Sequence, residues 1–198
     1  MKWIVAVPIL FVALVLDVSF MPVFELGGIT PRLVVVVVAF AAMHADGSIV
    51  RWFALLAGFL MDLSEPSLSG PRAPLYLIGP STLGMLFGVE AILSIRGVLV
   101  RKNPFSVGAM SLLLSLTSGL FWTAWWALRS WYPDSPPPWG DGSALREFGT
   151  QFLGSISSGI CGIPVGFLLL HFSGAWFLFF PFSAHLLTHP QYRGRSTG

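Results

Sequence analysis

The sequence predicts an all-α polytopic membrane protein, and its composition and its long apolar segments are the two observations behind this prediction. Of the 198 residues, 55% are hydrophobic and only 10% are charged, and the mean hydropathy is +0.77. A soluble domain carries roughly 25% charged residues. A helix that crosses a bilayer needs about 20 apolar residues, and such segments take up most of the chain. We predict one six-helix membrane domain over residues 1–187 and a disordered cytoplasmic tail over 188–198.

Six segments are predicted to span the membrane: 3–24, 29–43, 49–64, 75–95, 105–128 and 151–172. The second and third are short for a span. The start of the first also fits a signal peptide, but no small-x-small cleavage site follows its long apolar run, which favours an uncleaved span. The stretch 173–187 is predicted either to extend the sixth span or to lie along the cytoplasmic interface.

Local signals place the starts of two of these helices. Thr30-Pro31 and Asn103-Pro104 each combine an N-cap residue with a proline at the first helical position. The five valines that follow Leu33 would suggest a strand in water. In lipid a strand would leave backbone groups unpaired, so we expect these valines to supply apolar surface on a helix.

Small residues recur at four-residue spacing, which lets helix backbones approach closely in lipid. Such seams serve either packing within the chain or the docking of a partner helix. Since six helices cannot all bury every seam internally, one seam is a candidate partner surface. The candidate seam residues are Gly58, Gly84, Gly88, Gly162 and Gly166.

Three acids lie within predicted spans: Asp17, Asp62 and Glu90. A charged side chain is costly at membrane depth, so each acid needs a partner or a function. Asp62 lies four residues after Gly58 and therefore points into the bundle. Asp17 and Asp62 either line one polar pocket, with Arg32 or Arg72 at its outer rim, or are structural groups that hydrogen-bond to helix ends or snorkel outward. Glu90 is expected to reach toward Arg96 and Arg101.

Charge placement predicts the orientation of the chain. With a cytoplasmic N-terminus, the cytoplasmic side carries seven of the 11 lysines and arginines and the outer side carries four. The positive-inside rule then places both termini in the cytoplasm. The net charge of only +2 and the lack of a basic patch argue against nucleic acid as a partner. The seven are Lys2, Arg51, Arg96, Arg101, Lys102, Arg193 and Arg195, and the four are Arg32, Arg72, Arg129 and Arg146.

Motifs for chemistry are missing from the sequence. The four histidines have no metal-ligand spacing, and neither a Gly-x-Ser-x-Gly elbow nor a Walker loop is present. The single cysteine, Cys161, rules out an internal disulfide and a cysteine-based zinc site. We therefore expect no enzymatic activity, no metal and no cofactor.

Residues 17–88 resemble the MreD family of bacterial rod shape-determining membrane proteins. The resemblance is carried by Pro22, Gly28 and Pro31-Arg32-Leu33, by Gly58-Phe59-Leu60-Met61-Asp62-Leu63, and more loosely by Gly70, Pro74-Leu75, Gly79, Gly84 and Gly88. The chain departs from the family in its loop 65–72, its Pro-rich loop between Arg129 and Phe148, and its tail. Beyond Gly88 only the topology is shared.

The resemblance implies a non-enzymatic scaffold of the cell-elongation complex in the bacterial cytoplasmic (inner) membrane. Its implied partners are the lipid bilayer, an MreC-like single-span coiled-coil protein, and the elongation polymerase and transpeptidase, which it would couple to the MreB cytoskeleton. The family is also similar in fold to the substrate-binding subunits of energy-coupling-factor transporters. A small-molecule (vitamin-type) transporter subunit is therefore the alternative function.

Overall fold

The computed structural model describes residues 3–25, 29–64, 78–98, 103–131 and 143–171, with side-chain burial from residue 6 onward. Within these ranges 87% of the residues are helical and none lies in a strand. The six predicted helical segments are confirmed as helices. They are α1 (Trp3–Ser19), α2 (Leu33–His44), α3 (Gly47–Ser64), α4 (Pro80–Ile95), α5 (Pro104–Arg129) and α6 (Ala144–His171), with a short 3-10 turn at Met21–Phe24 after α1.

Three of these helices, α3, α5 and α6, are long and apolar enough to cross a membrane. The other three are apolar but shorter. The predicted first segment is divided because α1 ends at Ser19 and Pro22 lies in the 3-10 turn. The sixth helix starts seven residues before the predicted Gln151, with the Ser143 hydroxyl accepting a hydrogen bond from the Arg146 backbone N–H at 3.2 Å. The predicted segments 173–187 and 188–198, and most of the Pro-rich loop, lie outside the described residues.

The valine-rich α2 is the central helix of the bundle. Every residue from Val34 to Met43 is buried, and α2 contacts each of the other five α-helices. A helix that is hydrophobic all round is stable only where it is enclosed. The expectation that the valines supply apolar surface on a helix is therefore confirmed, and that surface packs against protein. At roughly 1.5 Å per residue, the 12 residues of α2 extend about 18 Å.

The remaining helices surround α2 in chain order. Consecutive pairs from α3 to α6 pack against each other, and α1 packs on α2 and α3. We call the end where α1, α3 and α5 finish and α2, α4 and α6 begin the Asp62 end. The opposite end, where α4 finishes at Ile95, is the Arg96 end.

The glycine seams are filled by helices of the same chain. A Cβ added at Gly84 would lie 2.9 Å from Ser118 of α5, and one at Gly166 would lie 2.8 Å from Val107 of α5. Gly88 faces Leu114, and Gly162 faces Ser111. These contacts correspond to the first of the two alternatives, packing within the chain, and leave no room for a partner helix at these positions.

Gly58 of α3 packs directly against the backbone at the start of α4. A Cβ there would lie 2.7 Å from the Ser81 carbonyl oxygen and would also overlap the Thr82 backbone, neither of which is a flexible side chain. We expect Gly58→Ala to lower the free energy of unfolding by about 1–3 kcal/mol, as overpacking does. Reversible unfolding in mixed micelles, followed by circular dichroism, measures this.

Gly149→Ala is the matched control, since Gly149 lies in α6 with nothing within 4 Å of an added Cβ. Alanine at an open helical position should be neutral or stabilising by about 0.5–1 kcal/mol. Equal stabilities for the two variants would contradict the close contact between α3 and the start of α4.

Candidate functional site

The Asp62 carboxylate caps the N-terminus of α4. It accepts hydrogen bonds from the backbone N–H groups of Gly79 (2.8 Å), Ser81 (3.0 Å) and Thr82 (3.2 Å), and from the Thr82 hydroxyl (2.9 Å). The N-cap residue of α4 is Gly79, which has no side chain and a φ of 136°, a region that favours glycine. The cap is therefore supplied by α3, and the negative carboxylate lies at the positive end of the α4 dipole.

Asp17 of α1 does the same for α2. Its two carboxylate oxygens accept the backbone N–H groups of Leu33 and of Val34, the latter at 2.8 Å. The N-cap residue of α2 is Arg32, whose side chain makes no capping bond. The prediction that Thr30 caps this helix is wrong, because the cap comes from α1. At the start of α5 the predicted cap is confirmed, since the Asn103 side chain accepts the Phe105 N–H at 3.0 Å.

The two capping acids occupy equivalent places in a short sequence repeat. Leu16-Asp17-Val18-Ser19 ends α1, and Met61-Asp62-Leu63-Ser64 ends α3. Ile29-Thr30-Pro31 precedes α2, and Ile78-Gly79-Pro80 leads into α4, whose first residue is Pro80. The sequence carries this signal, because it contains twice an acid as the third residue from a helix end, followed by an Ile-x-Pro segment at the next helix start.

Asp17 and Asp62 each bond to a different helix start, that of α2 and that of α4 respectively. Asp62 lines a cavity of about 170 Å³ at the Asp62 end, together with Arg32, and Asp17 is not among its lining residues. A second cavity of about 80 Å³ adjoins it and shares Arg32, Ser115 and Gln151. Arg32 is thus at the cavity, as predicted for the outer rim, whereas Arg72 lies outside the described residues.

The Arg96 end has its own set of charged contacts. The Arg96 guanidinium donates to the carbonyl oxygens of Ala42 (3.1 Å) and Ala45 (2.7 Å), which end α2. Glu90 forms a bidentate ion pair with Arg51 of α3, both side chains being partly exposed. The expectation that Glu90 reaches toward Arg96 is therefore wrong, and Arg101 lies outside the described residues.

Comparison with protein-family models, with curated proteins and with solved structures finds no match. Within the described ranges, no three His, Cys, Asp or Glu side chains lie close enough to hold a metal ion. The candidate site is therefore the polar region at the Asp62 end, made of the two helix caps and the adjoining cavities.

The four bonds to Asp62 predict the order of a substitution series. Asp62→Leu leaves three backbone N–H groups unpaired, and each such group costs about 1–3 kcal/mol. We therefore expect this substitution to lower the free energy of unfolding by at least about 3 kcal/mol. Asp62→Asn keeps one acceptor oxygen but places an amide N–H opposite a backbone N–H donor. Its free energy of unfolding should therefore lie between those of the native chain and Asp62→Leu. Unfolding in mixed micelles measures the free energy of unfolding, which we expect to decrease in the order Asp, Asn, Leu at position 62.

Asp46→Asn provides the control, since Asp46 is exposed in the turn between α2 and α3. It should change stability by less than about 0.5 kcal/mol, as surface substitutions do. If Asp62→Leu were as stable as the native chain, the cap would have no energetic role.

Proposed function

We propose that this protein is a non-enzymatic scaffold of the bacterial cell-elongation complex, embedded in the cytoplasmic (inner) membrane. The proposal rests on the resemblance to the MreD family, and one observation about the bundle supports it. Both acids at the Asp62 end are engaged with helix starts, so their carboxylates hold the bundle together. A rigid platform suits a protein that positions others.

The segment that carries the family resemblance is also the segment that makes this contact. Gly58 and Asp62 lie one helical turn apart on the same face of α3. Gly58 lets the start of α4 approach, and Asp62 then accepts its backbone N–H groups. Gly58 and Asp62, which carry part of the family resemblance, therefore share one structural role: they fix α4 against α3.

A six-span topology with both termini cytoplasmic is part of the proposal. Consecutive helices are antiparallel around α2, which is compatible with alternate crossings. Of the described basic residues, Arg51 and Arg96 lie at the Arg96 end, whereas Arg32, Arg129 and Arg146 lie at the Asp62 end. The cytoplasmic excess thus depends on Lys2, Arg101, Lys102, Arg193 and Arg195, which lie outside the described residues.

Reporter fusions test this topology. We expect a fusion directly after Arg101 to be cytoplasmic and one at Pro137 in the Pro-rich loop to be external, because α5 lies between the two positions. Alkaline phosphatase and green fluorescent protein activities report the two sides. If both fusions are on the same side, the proposed topology is wrong.

The proposed partner surface lies away from the glycine seams, since α5 fills those of α4 and α6 and the start of α4 fills Gly58. A single-span MreC-like partner is left with the lipid-facing side chains of the outer helices and with the loop between Arg129 and Phe148. That loop has four prolines over residues 130–143, and Pro-rich linkers in general act as semi-rigid spacers. We propose that this loop contributes to the contact outside the membrane.

The alternative function, a small-molecule-binding transporter subunit, is favoured by one observation. The cavity of about 170 Å³ is lined by polar side chains of α3, α4, α5 and α6 and by Arg32, the N-cap residue of α2, at a single end of the bundle. A scaffold has no evident need of such a cavity. Binding of vitamins to the purified protein would favour this alternative.

Depletion in the native host and co-purification test the proposed role. We expect depletion to turn rod-shaped cells into spheres, and the tagged protein to retain an MreC-like single-span protein in detergent. Replacing residues 133–141 by a Gly/Ser linker of equal length should lower partner recovery at unchanged accumulation in the membrane. Gly149→Ala serves as the control that keeps the partner. Unchanged shape together with no recovered partner would contradict the scaffold role.

A further inference from the structure

An exposed ion pair interrupts the apolar outer surface of α3 and α4. Arg51 and Glu90 form two charge-assisted hydrogen bonds, one of them 3.1 Å long between Arg51 Nη2 and Glu90 Oε2. Their side chains are 48% and 43% exposed, so the pair faces outward from the bundle. It also lies about one helical turn inside both helices, because α3 begins at Gly47 and α4 ends at Ile95. A bilayer that covered both helices to these ends would therefore enclose two charged side chains.

The ion pair limits the apolar height of this surface. Arg51 and Ser64, the last residue of α3, are thirteen positions apart, which is about 20 Å at roughly 1.5 Å per residue. The exposed side chains between them, Trp52, Phe59 and Leu63, are all apolar. Tryptophan is enriched at the membrane–water interface, and Trp52, which is 64% exposed, directly follows Arg51. We call the surface formed by these exposed residues, by Arg51 and by Leu83, Phe87 and Glu90 of α4 the α3/α4 face.

The outer surface of α6 is taller. Residues 151–170 of this helix contain no charged side chain, and exposed apolar residues occur along them from Phe152 to Leu168. Twenty residues of helix extend about 30 Å, which is the thickness of an ordinary hydrocarbon core. The average tilt of a membrane helix, about 20°, shortens this height by only about 2 Å. Since α3 packs on α1, α2 and α4 whereas α6 packs on α2 and α5, the two surfaces lie on different sides of the bundle.

We propose that the α3/α4 face binds a locally thinned bilayer, made of phospholipids with short acyl chains, while α6 contacts a bilayer of ordinary thickness. The apolar heights of the two surfaces differ by about 10 Å at roughly 1.5 Å per residue. The proposal rests on the membrane location in the proposed function, and it holds for a scaffold and for a transporter subunit alike.

The position of the ion pair favours thinning over burial of the two charges in lipid. A charged side chain in hydrocarbon is costly, and local thinning of the bilayer is one way in which this cost is relieved. A hydrophobic stretch shorter than the bilayer also thins it, at a modest cost for each Å of mismatch. A lone arginine could extend toward water instead. Because Arg51 is held sideways by Glu90 of the neighbouring helix, such an extension would break both of its hydrogen bonds to that carboxylate.

Lipid selectivity at each surface tests the proposal, with the full chain in phosphatidylcholine vesicles. A reporter tryptophan is introduced as Phe59→Trp in the α3/α4 face or as Ile160→Trp in α6, both at exposed positions. Brominated phosphatidylcholine with fourteen-carbon or eighteen-carbon chains quenches tryptophan fluorescence on contact, and it competes with unbrominated eighteen-carbon lipid. The difference in quenching from the chain without the reporter gives the relative binding constant at that surface. At Phe59→Trp the fourteen-carbon lipid should bind at least about twofold more tightly than the eighteen-carbon lipid, and at Ile160→Trp the order should be reversed.

Removal of the ion pair should abolish the short-chain preference of the α3/α4 face. In the double variant Arg51→Leu with Glu90→Leu, apolar surface continues toward the ends of both helices, so selectivity at Phe59→Trp should become that of α6. This variant should still insert, because it removes charged side chains from the outer surface of the bundle. The matched control, Arg51→Glu with Glu90→Arg, exchanges the two charges at the same height and should keep the short-chain preference.

Equal selectivity at the two reporters, or a short-chain preference that survives in the double leucine variant, would overturn the proposal. A Phe59→Trp reporter that no brominated lipid quenches would also overturn it, since the α3/α4 face would then be covered by protein. Cell shape and partner recovery test the scaffold role separately, so failure of that role and failure of this lipid preference are distinguishable.

Discussion

The structure depends on one constraint: the backbone groups at the ends of the short helices inside the bundle need hydrogen-bond partners. The first N–H groups and the last C=O groups of a helix have no partner within it. In lipid, water does not supply one. The 12-residue α2 is enclosed by five helices, so both of its ends need partners from the protein. Asp17 supplies them at one end and Arg96 at the other.

The charges of these partners match the helix dipole. A carboxylate at the N-terminus and a guanidinium at the C-terminus of α2 are the favourable arrangement. At α4 the carboxylate of Asp62 likewise lies at the helix N-terminus. Because Asp62 supplies the cap, the N-cap residue of α4 can be a glycine, which has no side chain. The carboxylates of Asp17 and Asp62 thereby fix the starts of α2 and α4, two of the helices that are shorter than a membrane span. Rigidity obtained in this way supports the proposed scaffold role.

Sequence reasoning succeeded for features that depend on local pattern. The six helices, the Asn103 cap and the inward direction of Asp62 all follow from residues close in the chain. It included hydrogen bonds from Asp17 and Asp62 to helix ends as one of two alternatives, but it did not identify which helix start each acid reaches. It also did not predict the pairing of Arg51 with Glu90. Nor did it place the valines of α2, because lipid and a protein interior are both apolar and favour the same side chains. Distinguishing them required the length of α2 and the caps at both of its ends.

The central position of α2 has a consequence for how the protein is made. A 12-residue helix is too short to partition stably into a bilayer alone, since a span needs about 20 residues. Its N-terminal partner, Asp17, is synthesised before it, so α1 and α2 are expected to enter the membrane together as a hairpin. Its C-terminal partner, Arg96, follows α4 and emerges only about 50 residues after Ala45. In the proposed topology, the carbonyl end of α2 therefore lacks its Arg96 partner until α4 has been synthesised.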